Sequence, residues 1–351
     1  MHRKQGLRQP GVMAVLGAAL LFGGGTPLAK ALLASVDPWL LAGLLYLGSG
    51  AGLALYRLVR HSPAEKLPPK EWGWLAGAIF AGGVVGPVLL MFGLTGMPAS
   101  GAALLLNAEG VSTALLAWFV FHENFDRRIA LGMAAIVAGA LVIGWPGEAR
   151  FSTTPWPALA VVGACLAWGI DNNLTRKVSL ADATWIAMFK GWAAGGMNLV
   201  LACWLGAVWP PLPTLGGALL VGGLAYGASL ALFVVGLRHL GTARTGAYFS
   251  VAPFFGAVLA IPLLGEPLTP RLLAAAGLMA SGVWLHLTEQ HRHPHVHEPM
   301  EHDHAHEHDA HHQHPHDEGV PIGVSHRHWH RHEPLTHYHA HFPDAHHRHD
   351  H

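Results

Sequence analysis

Ala14-Val-Leu-Gly-Ala-Ala-Leu-Leu-Phe-Gly23 lies over Ala160-Val-Val-Gly-Ala-Cys-Leu-Ala-Trp-Gly169 when the chain is slid along itself by 146 residues. The same alignment sets Lys30 over Arg176 and Trp39 over Trp185. A second match, at an offset of 143, sets Glu123 over Glu266, Arg128 over Arg271 and Gly139 over Gly282. A repeat of this length means two related structural units rather than one fold of unrelated elements.

The material of the repeat is apolar. Hydrophobic residues make up 52% of the chain and charged residues 12%, about half the globular norm. Crossing a hydrocarbon core of roughly 30 Å takes about 20 mostly apolar residues in a helix. Ten such stretches are legible, at about 12–32, 38–57, 73–94, 99–121, 129–146, 157–174, 184–206, 215–237, 243–264 and 271–288. The predicted fold is therefore an all-α polytopic membrane protein, with one five-helix repeat in 1–146 and another in 157–288. Five is odd, so the second repeat enters the membrane inverted relative to the first, as in many secondary transporters. Gly48 with Gly52, Gly82 with Gly86 and Gly223 with Gly227 stand at the spacing that lets helices approach closely in lipid. The first stretch follows Arg3, Lys4 and Arg8 and reads as an uncleaved first helix.

The formal net charge of zero is a cancellation. Met1–Thr288 carries 17 Lys+Arg against 10 Asp+Glu, whereas Glu289–His351 carries four Arg against 11 acids. With the N-terminus inside, the inner segments hold 13 basic residues and the outer loops three (Lys30, Arg150 and Arg271). That asymmetry predicts a multi-pass protein of the cytoplasmic (inner) membrane with both termini cytoplasmic. Cys165 and Cys203, the only cysteines, show no CxxC spacing and fit a disulfide scaffold poorly. No nucleophile elbow, Walker loop or HExxH is present, so an enzyme reading has no support.

The residues and their order resemble the drug/metabolite transporter superfamily with its paired EamA-type repeats. The resemblance rests on Gly25-Thr-Pro-Leu-Ala-Lys30, on Leu104 to Ile143, and on its counterpart Ser250 to Leu285 with Leu264-Gly-Glu-Pro-Leu268. It covers residues 12–288 and none of the tail. It implies a ten-helix permease that exports amino acids, other small metabolites or drugs. One departure is visible: Glu109-Gly110 stands in the fourth stretch where the ninth has Ala252-Pro253.

Ionisable groups inside spanning helices are costly and mark ion or substrate paths. Glu109, Asp171 and Lys190 are the candidates, with the amides Asn107, Asn172, Asn173 and Asn198 near them. Helical rise puts Glu109 roughly 18 Å from the inner end of its stretch, and Asp171 and Lys190 roughly 5–9 Å in, at depths where those two can pair. Glu109 is the expected binder of a substrate cation or carrier of a coupling proton. His122-Glu123 and Gly265-Glu266 stand at helix mouths and read as loop organisers.

Residues 289–351 form a different material, with 23 of the 28 histidines and 13 apolar residues. Such a segment cannot build its own core and is expected to be disordered without metal. The first block, 291–316, holds His291, His293, His295, His297, His302, His304, His306, His308, His311, His312, His314 and His316. The second, 326–351, holds His326, His328, His330, His332, His337, His339, His341, His346, His347, His349 and His351. Slid by 35 residues, every histidine of the second block meets one in the first, and Glu333-Pro334 meets Glu298-Pro299. Imidazole without thiolate suits Ni, Co, Zn or Cu(II). The tail is expected to bind a divalent transition metal, and the membrane domain to hold no cofactor.

The functional expectation is a secondary transporter exporting a small solute, with transport or its regulation linked to Ni, Co or Zn through the tail. Two alternatives stand beside it: amino-acid, metabolite or drug export with a purely regulatory tail, and a membrane-tethered metal store or sensor. The expected partners are the bilayer and a small-molecule or metal-ion substrate, with a homodimer compatible and no nucleic acid.

Overall fold

A computed structural model describes residues 10–62, 67–121, 127–144, 155–178, 182–240 and 248–287, and in the tail 292–297, 300–306, 326–332 and 335–340. The chain divides into two compact units, Met1–Glu289 and Gln290–His351.

All the regular secondary structure among the first unit's described residues is helical. Its first half runs α1 (Pro10–Leu32), α2 (Pro38–Val59), α3 (Pro69–Gly96), α4 (Ala99–Leu105), α5 (Ala108–Phe121) and α6 (Arg127–Gly144). The second half runs α7 (Trp156–Thr175), α8 (Ala183–Trp204), α9 (Leu212–Gly222, continued by Gly223–Ala228 and Ser229–Leu240), α10 (Ala252–Leu264) and α11 (Pro270–Leu287). Among the described residues five helices are long and apolar enough to cross a membrane: α1, α2, α3, α8 and α9 as far as Gly236. Shorter apolar helices lie at Ala130–Ile143, Ala252–Leu264 and Pro270–Leu285.

Local chemistry sets where these helices begin and how closely they pack. Asp37 precedes Pro38, and its carboxylate accepts the Trp39 N–H at 2.9 Å; Asp182 does the same for Trp185 at 2.9 Å. Both use a side-chain oxygen to satisfy an orphan N–H of the first turn. The α2–α9 crossing depends on glycine. A Cβ at Gly48 would lie 2.2 Å from the Leu219 carbonyl oxygen, and one at Gly222 would lie 2.1 Å from that of Leu45. Either methyl group would push the two backbones apart.

The packing exchanges the halves. In one direction α1 packs against α9 and α10; in the other, its counterpart α7 packs against α3 and α5. α2 packs on α8, and α6 on α11. Irregularities recur too. A π-helical turn occupies Ile79–Val85 in α3 and another occupies Gly223–Ala228 in α9, with starts 144 residues apart.

Two stretches read as continuous helices are interrupted. The 99–121 stretch breaks at Leu106–Asn107, where Asn107 N–H bonds the Leu104 carbonyl at 3.1 Å before α5 begins at Ala108. The 243–264 stretch turns at Ser250–Val251 before α10. Asn107 and Ser250 are 143 residues apart, the offset that matches Glu123 to Glu266. Hydropathy counts apolar residues and is blind to a turn, because Leu106 is as apolar as its helical neighbours.

The tail departs from the disorder expected of its composition. Its described residues form β1 (Arg292–His297), β2 (Met300–His306), β3 (His326–His332) and β4 (Leu335–Ala340), with β1 antiparallel to β4 and β2 to β3. Duplication is the physical reason. Each period-2 segment meets a segment of matching alternation in the other block, so backbone pairing replaces the missing core. His291, His308, His311, His312, His314, His316, His341, His346, His347, His349 and His351 lie outside the described residues, as do all side chains of the tail strands.

Candidate transport site

The π-turn of α3 is the frame of the site. A π-turn disturbs the regular i to i−4 ladder and leaves carbonyls in need of other donors. Tyr46 Oη of α2 donates to the Gly82 carbonyl at 2.7 Å, and Trp168 Nε1 of α7 to the same oxygen at 2.9 Å. Asn198 Nδ2 of α8, fully buried, donates to the Gly83 carbonyl at 2.8 Å. Three helices thus brace one irregular turn.

Against this turn lies a charge pair. Lys190 Nζ of α8 reaches both carboxylate oxygens of Asp171 on α7, at 2.5 and 2.7 Å. Thr175 Oγ1 donates to Asp171 Oδ1 at 2.8 Å. A Cβ at Gly82 would lie 2.0 Å from Asp171 Oδ2, so only glycine leaves room for the carboxylate there.

Glu109 stands in the first turn of α5, immediately after the break. Asn172 Nδ2 donates to Glu109 Oε1 at 2.9 Å and to Thr113 Oγ1 at 3.2 Å. Asn172 is exposed and Glu109 half-buried, while Gly110 has open space where a side chain would be. An aromatic group lies near the second break: Tyr46 stacks on Tyr226 with centroids 6.3 Å apart, and Phe22 meets Tyr226 at 5.7 Å and Phe249 at 5.4 Å.

Of the seven residues named from sequence, four come together: Glu109, Asn172, Asp171 and Lys190. By helical rise Glu109 is expected well away from Asp171 in depth, yet Asn172, next to Asp171, bonds Glu109. The reason is that α7 runs to Thr175 and continues as a 3-10 turn over Arg176–Val178, which carries Asp171 further from the helix end. Asn173 braces backbone, donating to the Gly169 and Thr113 carbonyls at 2.8 and 3.2 Å. Asn107 turns to the Leu104 carbonyl at 2.9 Å and to Met279 Sδ at 3.9 Å, closing the broken helix rather than joining Glu109. Tyr46, Trp168 and Tyr226 were missed. Tyr46 and Tyr226, each a hydroxyl-bearing ring inside an apolar stretch, were the available signal.

Two clasps lie away from this group. Arg57, buried in the last turn of α2, pairs with Asp182 at 2.6 Å and bonds Thr184 Oγ1 at 2.7 Å. Burial pushes the Asp182 carboxyl up. The Thr184 hydroxyl, the Trp185 N–H and the Arg57 charge outweigh it, and the net position is below the ordinary Asp value. Glu266 accepts the N–H groups of Ala99 and Ser100 at 2.6 and 2.9 Å, capping α4 from the other half; Glu123 lies outside the described residues. Lys30 donates to the Leu94 carbonyl. Among the described residues no group of three or more His, Cys, Asp or Glu is placed to hold a metal ion.

The EamA-like transporter family matches the chain twice, over residues 9–145 and 155–288. The chain belongs to this family. An uncharacterised transporter of Methanothermobacter thermautotrophicus is 26% identical over 294 residues, covering 78% of this chain and 85% of that protein. A protein of Streptantibioticus cattleyicolor named "Probable terminal-alkyne amino-acid exporter" is 29% identical over 203 residues, 56% of this chain and 67% of its own. A crystal structure superposes with a TM-score of 0.59 at 17% identity, over 78% of this chain and 95% of that one, which shows the shared fold. This EamA-like chain is thus a multi-pass membrane transporter with one interrupted helix in each matched segment.

Proposed function

We propose that the protein exports a small organic solute bearing a protonated amine, with Glu109 as its counter-ion or as the carrier of a coupling proton, and with the histidine tail as a divalent-metal regulator. The observation that carries this reading is Glu109 itself. It lies just after a helix break, half-buried and hydrogen-bonded by a neutral amide, instead of being neutralised in the Asp171–Lys190 pair. Interrupted helices at matched places in two repeats are the usual location of a transporter's substrate site. The aromatic faces of Tyr46, Tyr226 and Phe22 suit a cation, which is attracted to the negative face of a ring. The exporter name of the Streptantibioticus relative fits an amino-acid-like cargo.

In this reading ten membrane passages, five per repeat, place both termini in the cytoplasm and the protein in the inner membrane. Asp171 and Lys190 hold α7 to α8 beside the π-turn and keep Asn172 aimed at Glu109. Ni, Co, Zn or Cu(II) on the tail reports metal status to the transporter and is not the cargo. The test is flux in inverted vesicles across a pH gradient. Amine-bearing solutes should accumulate with the intact chain and with a chain lacking 289–351. Accumulation of Zn(II) or Ni(II) that depends on the tail would favour metal export instead.

A further inference from the structure

We infer that the two histidine blocks of the tail form one antiparallel metal clamp with two four-histidine sites, each taking two ligands from 291–316 and two from 326–351. The inference rests on the reading that the tail binds divalent metal, and it adds which residues share an ion.

The register carries it. Arg292 faces Ala340 and His306 faces His326, fourteen residues further on in one direction and fourteen back in the other, so the β1–β4 and β2–β3 ladders keep one register without slip. In β2–β3 three successive rungs pair histidine with histidine: His302 with His330, His304 with His328, and His306 with His326. In β1–β4 two rungs do so: His293 with His339 and His295 with His337. Five of the six histidines in β1 and β2 therefore face a histidine of the other block. The alternate positions of β2–β3 carry other chemistry, with Glu301 opposite Arg331 and Asp303 opposite Trp329. Opposite charges directly across a ladder favour this register over its slips.

Directly opposite residues have Cβ atoms about 4.5–5.5 Å apart. The next residue on the same face lies about 6.7 Å along the strand. Two neighbouring rungs thus bring four histidine positions together on one face of the ladder, the number of nitrogen donors that a tetrahedral divalent ion takes. β1–β4 has rungs for one such site, and the three rungs of β2–β3 have room for one more. Every described rung joins one block to the other, so each of these sites draws its ligands from both blocks. Binding energy is then pairing energy, and the metal locks the two blocks together.

The experiment is zinc titration of the intact purified chain in detergent, with bound zinc counted by mass spectrometry. The wild type should bind two zinc ions tightly. Removing 326–351 should abolish tight binding, with affinity falling about 100-fold or more. His304→Ala and His328→Ala should each weaken the same site, and the double variant should bind about as the singles do, since either change already breaks it. His304→Ala with His295→Ala should instead lose both sites. A chain lacking 326–351 that keeps half the ions at unchanged affinity would overturn the clamp while leaving a metal-binding tail. No tight zinc on the intact chain would overturn the metal reading itself.

Discussion

Removing the Asp171 carboxylate alone should cost far more than removing it together with its partner. The side chains of Lys190 and Asp171 are 16% and 9% exposed, so water cannot replace the missing group. Asp171→Asn leaves the ammonium against the π-turn with neutral acceptors only. Breaking a buried pair from one side costs about 3–5 kcal/mol, whereas replacing both members by apolar residues of similar volume is close to neutral. For a body of this size the single change should lower the melting temperature by about 10 °C. Asp171→Leu with Lys190→Met should stay within about 1 kcal/mol of wild type. With Asp171→Leu and Lys190→Met each costing about 3 kcal/mol or more alone, the coupling from the double-mutant cycle would be about 5 kcal/mol or more. Cys165 is buried and Cys203 exposed, which supplies the assay. In a Cys203→Ser background, a thiol-reactive dye reports unfolding through Cys165 alone. A single variant within about 0.5 kcal/mol of wild type would refute the buried-pair argument, as would a double variant as unstable as the two singles combined.

Three further outcomes follow from the same geometry. Gly48→Ala puts a methyl 2.2 Å from the Leu219 carbonyl and should lower the melting temperature by several degrees; Gly196→Ala, which meets nothing within 4 Å, should leave it unchanged or raise it slightly. Asp182 is held below the ordinary Asp value, so its contribution to stability is present above that value and lost as pH falls through its own lower one. The melting-temperature difference between wild type and Asp182→Asn should thus be constant from pH 7 to about pH 5 and shrink below about pH 4. Glu266→Gln weakens the cap on α4, where a carboxylate accepts two N–H groups, and should cost about 1 kcal/mol in the same thermal assay.

What the sequence showed and hid divides along physical lines. Apolar runs, the 146- and 143-residue offsets and the small residues at crossings are properties of composition and spacing, and they led to the helical body and its repeat. The proximity of Asp171 and Lys190 followed from counting helical rise from two adjacent span ends. The break at Leu106–Asn107 was hidden because a turn inside an apolar run changes no hydropathy. The π-turn of α3 was hidden for a related reason: its carbonyl partners, Tyr46, Trp168 and Asn198, come from three different helices and exist only after packing. The tail shows the converse error. Low apolar content argued for disorder, yet the duplicated period-2 pattern that argued for metal also supplies each strand with a mate.

Transport by Glu109→Gln in inverted vesicles tests the central claim most directly. The substitution keeps the shape and the hydrogen-bonding capacity toward Asn172 while removing the charge. With amine-bearing amino-acid analogues and an imposed pH gradient, wild type should accumulate solute. Glu109→Gln should lose that accumulation or its dependence on pH, with its melting temperature within a few degrees of wild type. Unchanged flux and unchanged pH dependence in Glu109→Gln would contradict the account.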